Sequence, residues 1–266
     1  MQTINNSTEK EYRDNQVQFG HLDRSLSVTD WLNQTYGQDL IKKSRYFEVA
    51  KKFLDSKSNL KVLEIAAGVG DFVVFCSQKF PQHSYYAQEL SEQQLKNNIN
   101  EVMDYFGVTK MPELSFGPAE NLAYKDNQFD VVFIKAAVHH FEDPNKGFEV
   151  IHRILKPGGQ VVFFEDPVCL DIPIYRFFKQ NYFALDERKL GINEHIYSTK
   201  KYESFGHLFS KRSKYLDEVL VGEYDKQQKS RQGIKAFLGN VIRRNKKLFY
   251  NYMIWRFSPV VFVFEK

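Results

Sequence analysis

Val62-Leu63-Glu64-Ile65-Ala66-Ala67-Gly68-Val69-Gly70-Asp71-Phe72 carries an apolar run with one acid inside it, then a turn of small residues, then a new apolar start. Residues 60–65 predict a buried strand, residues 68–70 a tight turn, and residues 72–79 a helix with its apolar face inward. Small side chains let backbone approach a ligand closely, and glycine permits turn conformations closed to other residues. The turn is therefore a candidate ligand cradle. Two ligands compete for it, a dinucleotide and an S-adenosylmethionine-like adenosine. A dinucleotide fingerprint beginning at Gly68 has Gly70 in place but meets Val73 where a third small residue is needed. Glu64 would repel a pyrophosphate and suits a cationic group.

Outward from this stretch the pattern alternates. Residues 83–88 predict a second strand, and Ser91 with Gln94 forms a capping-box start for a helix reaching about residue 106. Residues 114–117, 129–135 and 160–165 predict further strands, with a helix at 145–155 stopped by Pro157-Gly158-Gly159. Upstream, apolar residues at helical spacing over 29–54 predict one or two helices before the sheet. Strands alternating with helices give a mostly parallel, doubly wound, Rossmann-like α/β sheet, whose ligands lie beyond the carboxyl ends of the strands. The expected division is an N-terminal helical segment at 1–58, an α/β core at 59–167, and a lid insertion with the final strands of the same domain at 168–266.

Composition is consistent with one folded domain. Of 266 residues, 42% are hydrophobic and 26% charged, close to globular averages, which excludes disorder and wholesale membrane burial. No apolar run reaches the roughly 18 residues of a spanning helix, and residues 1–15 lack the apolar centre of a secretory signal. Cys76 and Cys169 have no metal-type spacing and suit a reducing compartment. A cytoplasmic location is expected. The net charge of +4 is too small by itself to imply nucleic acid, which is not expected as a partner, but its distribution is uneven: nine Lys or Arg and no Asp or Glu lie between positions 226 and 256. A solvated helix face is the plain explanation of that stretch; an acidic substrate, a membrane surface or RNA are the functional ones.

Glu89 ends the second strand, where a carboxylate can accept hydrogen bonds from ribose hydroxyls. Farther on come Gly117-Pro118-Ala119-Glu120-Asn121-Leu122, Phe129-Asp130-Val131-Val132-Phe133, His139-His140-Phe141 and Ile154-Leu155-Lys156-Pro157-Gly158-Gly159. In order and spacing these motifs resemble the small-molecule branch of the class I S-adenosylmethionine-dependent methyltransferases, over residues 61–167. The resemblance implies that Glu64, Ala66, Gly68 and Gly70 cradle the methionine and ribose portions of S-adenosyl-L-methionine. It implies that Glu89 and Leu90 hold the ribose, that Ala119 and Glu120 lie beside the adenine, and that Lys135 completes the cofactor site. It also implies an antiparallel strand closing the sheet at 260–264. The chain departs from the family pattern at Ala66, where the first glycine of the turn is usual, and at Pro118, where an acid commonly meets the adenine amino group.

Methyl transfer from a sulfonium is an in-line displacement that needs neither a metal nor a covalent intermediate, so positioning dominates. A hydroxyl acceptor also needs a base, and histidine has the right basicity. His140 is the first candidate and His139 the second, both just past the fourth strand; Asp166, at the end of the fifth, is a candidate to orient an imidazolium. Aromatic and aliphatic residues crowd the segment after that strand, and Tyr175, Phe178 and Tyr182 are the expected acceptor contacts on a lid. Residues 198–213 predict a helix, 215–221 a strand, and 234–252 helical spacing. The expected activity is methylation of an oxygen or nitrogen on a small-molecule acceptor. The alternatives are an RNA or peptide methyltransferase using the basic segment, and a non-catalytic cofactor-binding scaffold. A homodimer is among the assemblies this sequence allows.

Overall fold

A computed structural model describes residues 6–14, 27–172, 192–230, 232–257 and 259–266. Seven strands form one sheet in the order β3-β2-β1-β4-β5-β9-β8. They are β1 (Lys61–Ile65), β2 (Ser84–Glu89), β3 (Glu113–Phe116), β4 (Phe129–Lys135), β5 (Leu155–Phe164), β8 (Lys211–Leu216) and β9 (Val260–Glu265). The first five are parallel, and β9 runs antiparallel to both β5 and β8. β6 (Val168–Cys169) and β7 (Tyr197–Ser198) form a separate short pair. The sequence order reverses between β1 and β4, and a sheet of this kind opens its ligand cleft there.

The helices that cover the sheet follow from periodicity and caps. α1 (Asn6–Asp14), α2 (Val28–Leu32) and α3 (Leu40–Leu54) precede it, with a wider π-type turn at Asn33–Gln38 separating α2 from α3. α4 (Asp71–Lys79) starts on Gly70, whose φ of 85° turns the chain from strand into helix. α5 (Glu92–Phe106) starts where Ser91 Oγ accepts the Gln94 N–H, as its capping pattern predicts. α6 (Pro144–Ile154) is capped by Asp143 with Pro144 in its first turn. α7 (Thr199–Phe205), α8 (Glu218–Ser230), α9 (Gly233–Arg244) and α10 (Lys246–Phe257) occupy the C-terminal part.

Alternate residues of the central strands feed two apolar layers. Val62, Val131 and Phe133 pack with Phe72, Phe75 and Tyr46 on one face; Leu63, Val132 and Ile134 pack with Phe148, Phe163 and Phe264 on the other. Full burial of each such side chain contributes roughly 1.5–3 kcal/mol, and the high aromatic content is spent here, on both faces. Glu64 belongs by alternation to the layer facing α4. Its carboxylate is buried there and accepts the Val73 N–H at 2.8 Å.

Two assignments in the C-terminal part are corrected. The helix expected over 198–213 ends at Phe205 and gives way to β8, and the strand expected over 215–221 divides into the end of β8 and the start of α8. β8 is an edge strand with its first three residues exposed, so it lacks the apolar alternation of a half-buried strand. The Val219-Leu220-Val221 run imitates a strand, but Asp217 Oδ1 accepts the N–H of Val219 and Leu220 and starts a helix instead. The proposed lid residues Tyr175, Phe178 and Tyr182 lie outside the described residues.

Candidate functional site

The three central strands end alike: Ala66 after β1, Ala136 after β4 and Glu165 after β5 have φ of 55°, 51° and 64°. The left-handed region costs a residue with a Cβ roughly 1–2 kcal/mol, and here it turns the chain away from the sheet at each carboxyl end. Above β1 and β4 lies an open cleft at the carboxyl ends of the strands. The turn residues Ala66 to Val69 form one wall, Glu89 and Leu90 another, and Pro118, Ala119 and Glu120 a third.

Glu89 accepts three backbone hydrogen bonds at the edge of this cleft. It is 2% exposed. Its Oε2 accepts the Gly68 N–H at 2.7 Å, and its Oε1 accepts the N–H of Leu90 at 2.9 Å and of Ser91 at 3.2 Å. Burial raises its proton affinity, the Arg13 charge and the three N–H donors oppose that, and the balance stays above the ordinary carboxylate value. Gly68 has φ of 59°, and a Cβ there would meet no protein atom within 4 Å, so its backbone faces open cleft. Gly70 is constrained differently, because a Cβ there would come within 2.3 Å of Ile99 Cδ1. Gly70 serves the packing of α4 on α5, and Gly68 serves the cleft.

Glu64 does not line the cleft. It sits beneath the turn, where burial drives its carboxyl well above the usual range and Lys135 opposes this; its Oε1 is buried without a hydrogen-bond partner. Of the two acids flanking the turn, Asp71 is the one that lines the cleft; it accepts the Tyr36 hydroxyl at 2.6 Å and pairs with Lys135. Lys135 also lines the cleft. Burial lowers its proton affinity, but Asp71, Glu64 and Glu165 outweigh that and keep it charged.

Glu120 accepts the Asp143 N–H at 3.1 Å and the Asn6 side-chain amide at 3.4 Å. This contact brings in α1, which sequence reasoning left unread. Asn6, Glu9 and Arg13 line the cleft, and Glu9 and Arg13 pair at 2.7 Å across one helical turn. The available signal was that i, i+4 pair of opposite charges, since α1 has no apolar stripe. Trp31, from α2, also lines the cleft.

The two histidines separate in environment. His140 lines the cleft, and its Nδ1 lies 2.7 Å from the Asn193 carbonyl oxygen. A carbonyl only accepts, so Nδ1 carries the hydrogen and Nε2 is the unprotonated nitrogen of the neutral ring. The Asn193 side-chain amide donates to the carbonyls of His140 and Phe141 at 2.9 and 2.8 Å, clamping the turn. His139 is buried behind it, with Nδ1 2.7 Å from Asp166 Oδ1 and Nε2 3.6 Å from Glu194 Oε2. Burial disfavours its charged form, but the Asp166 hydrogen bond and the charges of Asp166, Glu194 and Glu9 leave its pKa above the ordinary 6.5. Asp166 was expected to orient the same imidazole that faces the cleft; it holds His139.

Residues 63–163 match the family model described as a methyltransferase domain. A ubiquinone/menaquinone biosynthesis C-methyltransferase from Geotalea daltonii is 27% identical over 72% of this chain and 75% of its own length. A demethylmenaquinone methyltransferase from Bacteroides fragilis is 26% identical over 40% of this chain, which spans only 42% of that relative. Among solved structures, phosphoethanolamine N-methyltransferase 2 of Haemonchus contortus, bound to phosphomonomethylethanolamine and S-adenosylhomocysteine, superposes with a TM-score of 0.56. That match covers 91% of this chain and 61% of the other at 18% identity, and so speaks for the fold alone.

Proposed function

Because the chain is a class I S-adenosylmethionine-dependent methyltransferase, we propose that it methylates an oxygen or nitrogen of a small-molecule acceptor held against His140. The cleft's donor set suits the methyl donor. Glu89 offers buried carboxylate lone pairs to ribose hydroxyls, Gly68 offers close backbone approach, and Ala119 offers a small apolar surface to the adenine. Lys135 with Asp71, and Arg13 with Glu9, supply both signs of charge for an amino-acid end. S-adenosylmethionine supplies a sulfonium-activated methyl group, so the chain's own task is to orient, to exclude water and to take a proton.

The observation that carries the reading is the place of His140 in the cleft wall with its Nδ1 2.7 Å from the Asn193 carbonyl oxygen. With Nδ1–H committed to the Asn193 carbonyl, Nε2 is the nitrogen that takes a hydroxyl proton as the new bond forms. His139 is buried behind it, hydrogen-bonded to Asp166 and not lining the cleft, and acts as a positioning residue beneath it. We assign the acceptor contacts to Tyr175, Phe178 and Tyr182, which lie outside the described residues. The names of the Geotalea and Bacteroides relatives make an electron-rich ring carbon the second acceptor class; such a ring loses a proton too, and the same imidazole would take it.

The test is single-turnover methylation of phenol, sugar-hydroxyl and amine panels by wild type, His140→Ala and Asp166→Asn. For a hydroxyl acceptor, His140→Ala slows turnover about 10²-fold or more with S-adenosylhomocysteine affinity nearly unchanged, and Asp166→Asn costs less. An already neutral amine shows little loss. A wild-type rate in His140→Ala with a hydroxyl acceptor removes the histidine from the chemistry.

A further inference from the structure

Among the described residues, the α9–α10 pair presents an apolar face that nothing covers. The inward face of α9 is fixed by three contacts with α8. A Cβ at Gly239 would lie 1.7 Å from Gln228 Oε1, the Tyr224 hydroxyl donates to the Gly239 carbonyl at 3.3 Å, and Arg243 pairs with Asp225 at 2.8 and 3.1 Å. Ile242 also points inward, onto the Tyr224–Phe249–Met253 cluster. The opposite face carries Phe237, Leu238 and Val241 at 65%, 52% and 44% exposure, and Leu248 near the start of α10 is 44% exposed. Positions 237, 238 and 241 form one stripe at helical spacing.

Basic residues edge this stripe. At about 100° per residue Arg244 lies about 20° from Phe237 at the border of the stripe, whereas Lys235 lies about 60° beyond Leu238 toward the α8 side; both are exposed, as are Lys246 and Lys247 at the start of α10. No acid lies between positions 226 and 256 to offset them. We propose that this face docks on an anionic lipid surface, with Phe237, Leu238, Val241 and Leu248 entering the headgroup boundary and the four cations meeting lipid phosphates. Charge decides among occupants. A second copy would set a basic rim against the same basic rim, and a nucleic acid would leave Leu238, Val241 and Leu248 without a partner. α10 also packs against β6, just past the carboxyl end of β5, so the docking pair is anchored at the end of the sheet where the cleft opens.

Vesicle co-sedimentation of the full chain tests this, using phosphatidylcholine alone and phosphatidylcholine mixed with phosphatidylglycerol. Each cation near such a surface contributes about fivefold to partitioning at low salt. Replacing Lys235, Arg244, Lys246 and Lys247 together by Gln should therefore weaken binding about 10²–10³-fold. Phe237→Glu with Leu238→Glu should also abolish it. Both variants alter exposed residues, and unchanged S-adenosylhomocysteine affinity with an unchanged near-ultraviolet spectrum verifies their fold. The expected result is binding to the anionic vesicles, weakened by salt, lost in both variants and weak on phosphatidylcholine alone. Absence of binding by wild type, or retention in either variant, overturns the proposal. So does a wild-type dimer that Phe237→Glu dissociates, or an RNA complex, when vesicles are not bound.

Discussion

Glu89 gives the sharpest perturbation, because each of its carboxylate oxygens serves a separate purpose. Oε1 holds the N–H groups of Leu90 and Ser91, and Oε2 holds the N–H of Gly68. Hydrogen bonds to a charged acceptor contribute about 1.5–3 kcal/mol each. Burial of the carboxylate offsets part of that total, as its raised proton affinity records. Glu89→Ala strands all three donors and should cost about 2–4 kcal/mol, a fall in Tm of roughly 5–15 °C for a chain of this size. Glu89→Gln can keep its oxygen on Leu90 and Ser91 while turning an amide donor toward Gly68, so about 1–2 kcal/mol is expected. Both variants should bind S-adenosylhomocysteine about 10²-fold more weakly, because the ribose acceptor and the Gly68 turn are lost together. Differential scanning calorimetry and titration calorimetry read the two effects separately. Wild-type Tm in Glu89→Ala would refute the bonding argument, and wild-type affinity in Glu89→Gln would remove this residue from the cofactor site.

The His139–Asp166 pair predicts a pH dependence of stability. The folded-state pKa of His139 is raised, so its contribution is fully present below the unfolded value near 6.5 and is lost as pH rises through the folded value. The Tm difference between wild type and His139→Gln should be widest near the acid end of about pH 6–9 and narrow upward; a gap that widens with pH contradicts this sign. Ala66→Gly removes a Cβ from a left-handed position, and after glycine's greater unfolded entropy should stabilise by about 0.5–1 kcal/mol. Thermal unfolding checks it, and a lowered Tm would mean that the Cβ packs usefully.

Much of the core was legible because two independent signals agreed there. Residues 60–135 combine apolar runs, glycine turns and a Ser91 cap, and the structure places β1, α4, β2, α5 and β4 within a few residues of the expected bounds. The site was read less completely. Glu89, Gly68, Ala119, Glu120, Lys135 and His140 come together in one cleft, whereas Glu64 is drawn under the turn by the alternation of β1 and by the Val73 N–H. His139 and Asp166 were both visible, but their pairing depends on how the turns after β4 and β5 meet, which no local pattern encodes. α1 escaped because its contribution is ionic, through Glu9 and Arg13. β8 escaped because an edge strand need not alternate.

Titration of S-adenosylhomocysteine into the full chain by calorimetry tests the central claim, that the cleft between the β1 turn and Glu89 is built for the methyl donor. One binding site per chain is predicted, with competition by S-adenosylmethionine and a Tm that rises with the logarithm of ligand concentration above the dissociation constant. No heat at millimolar ligand, together with saturable binding of a nicotinamide dinucleotide, would contradict it.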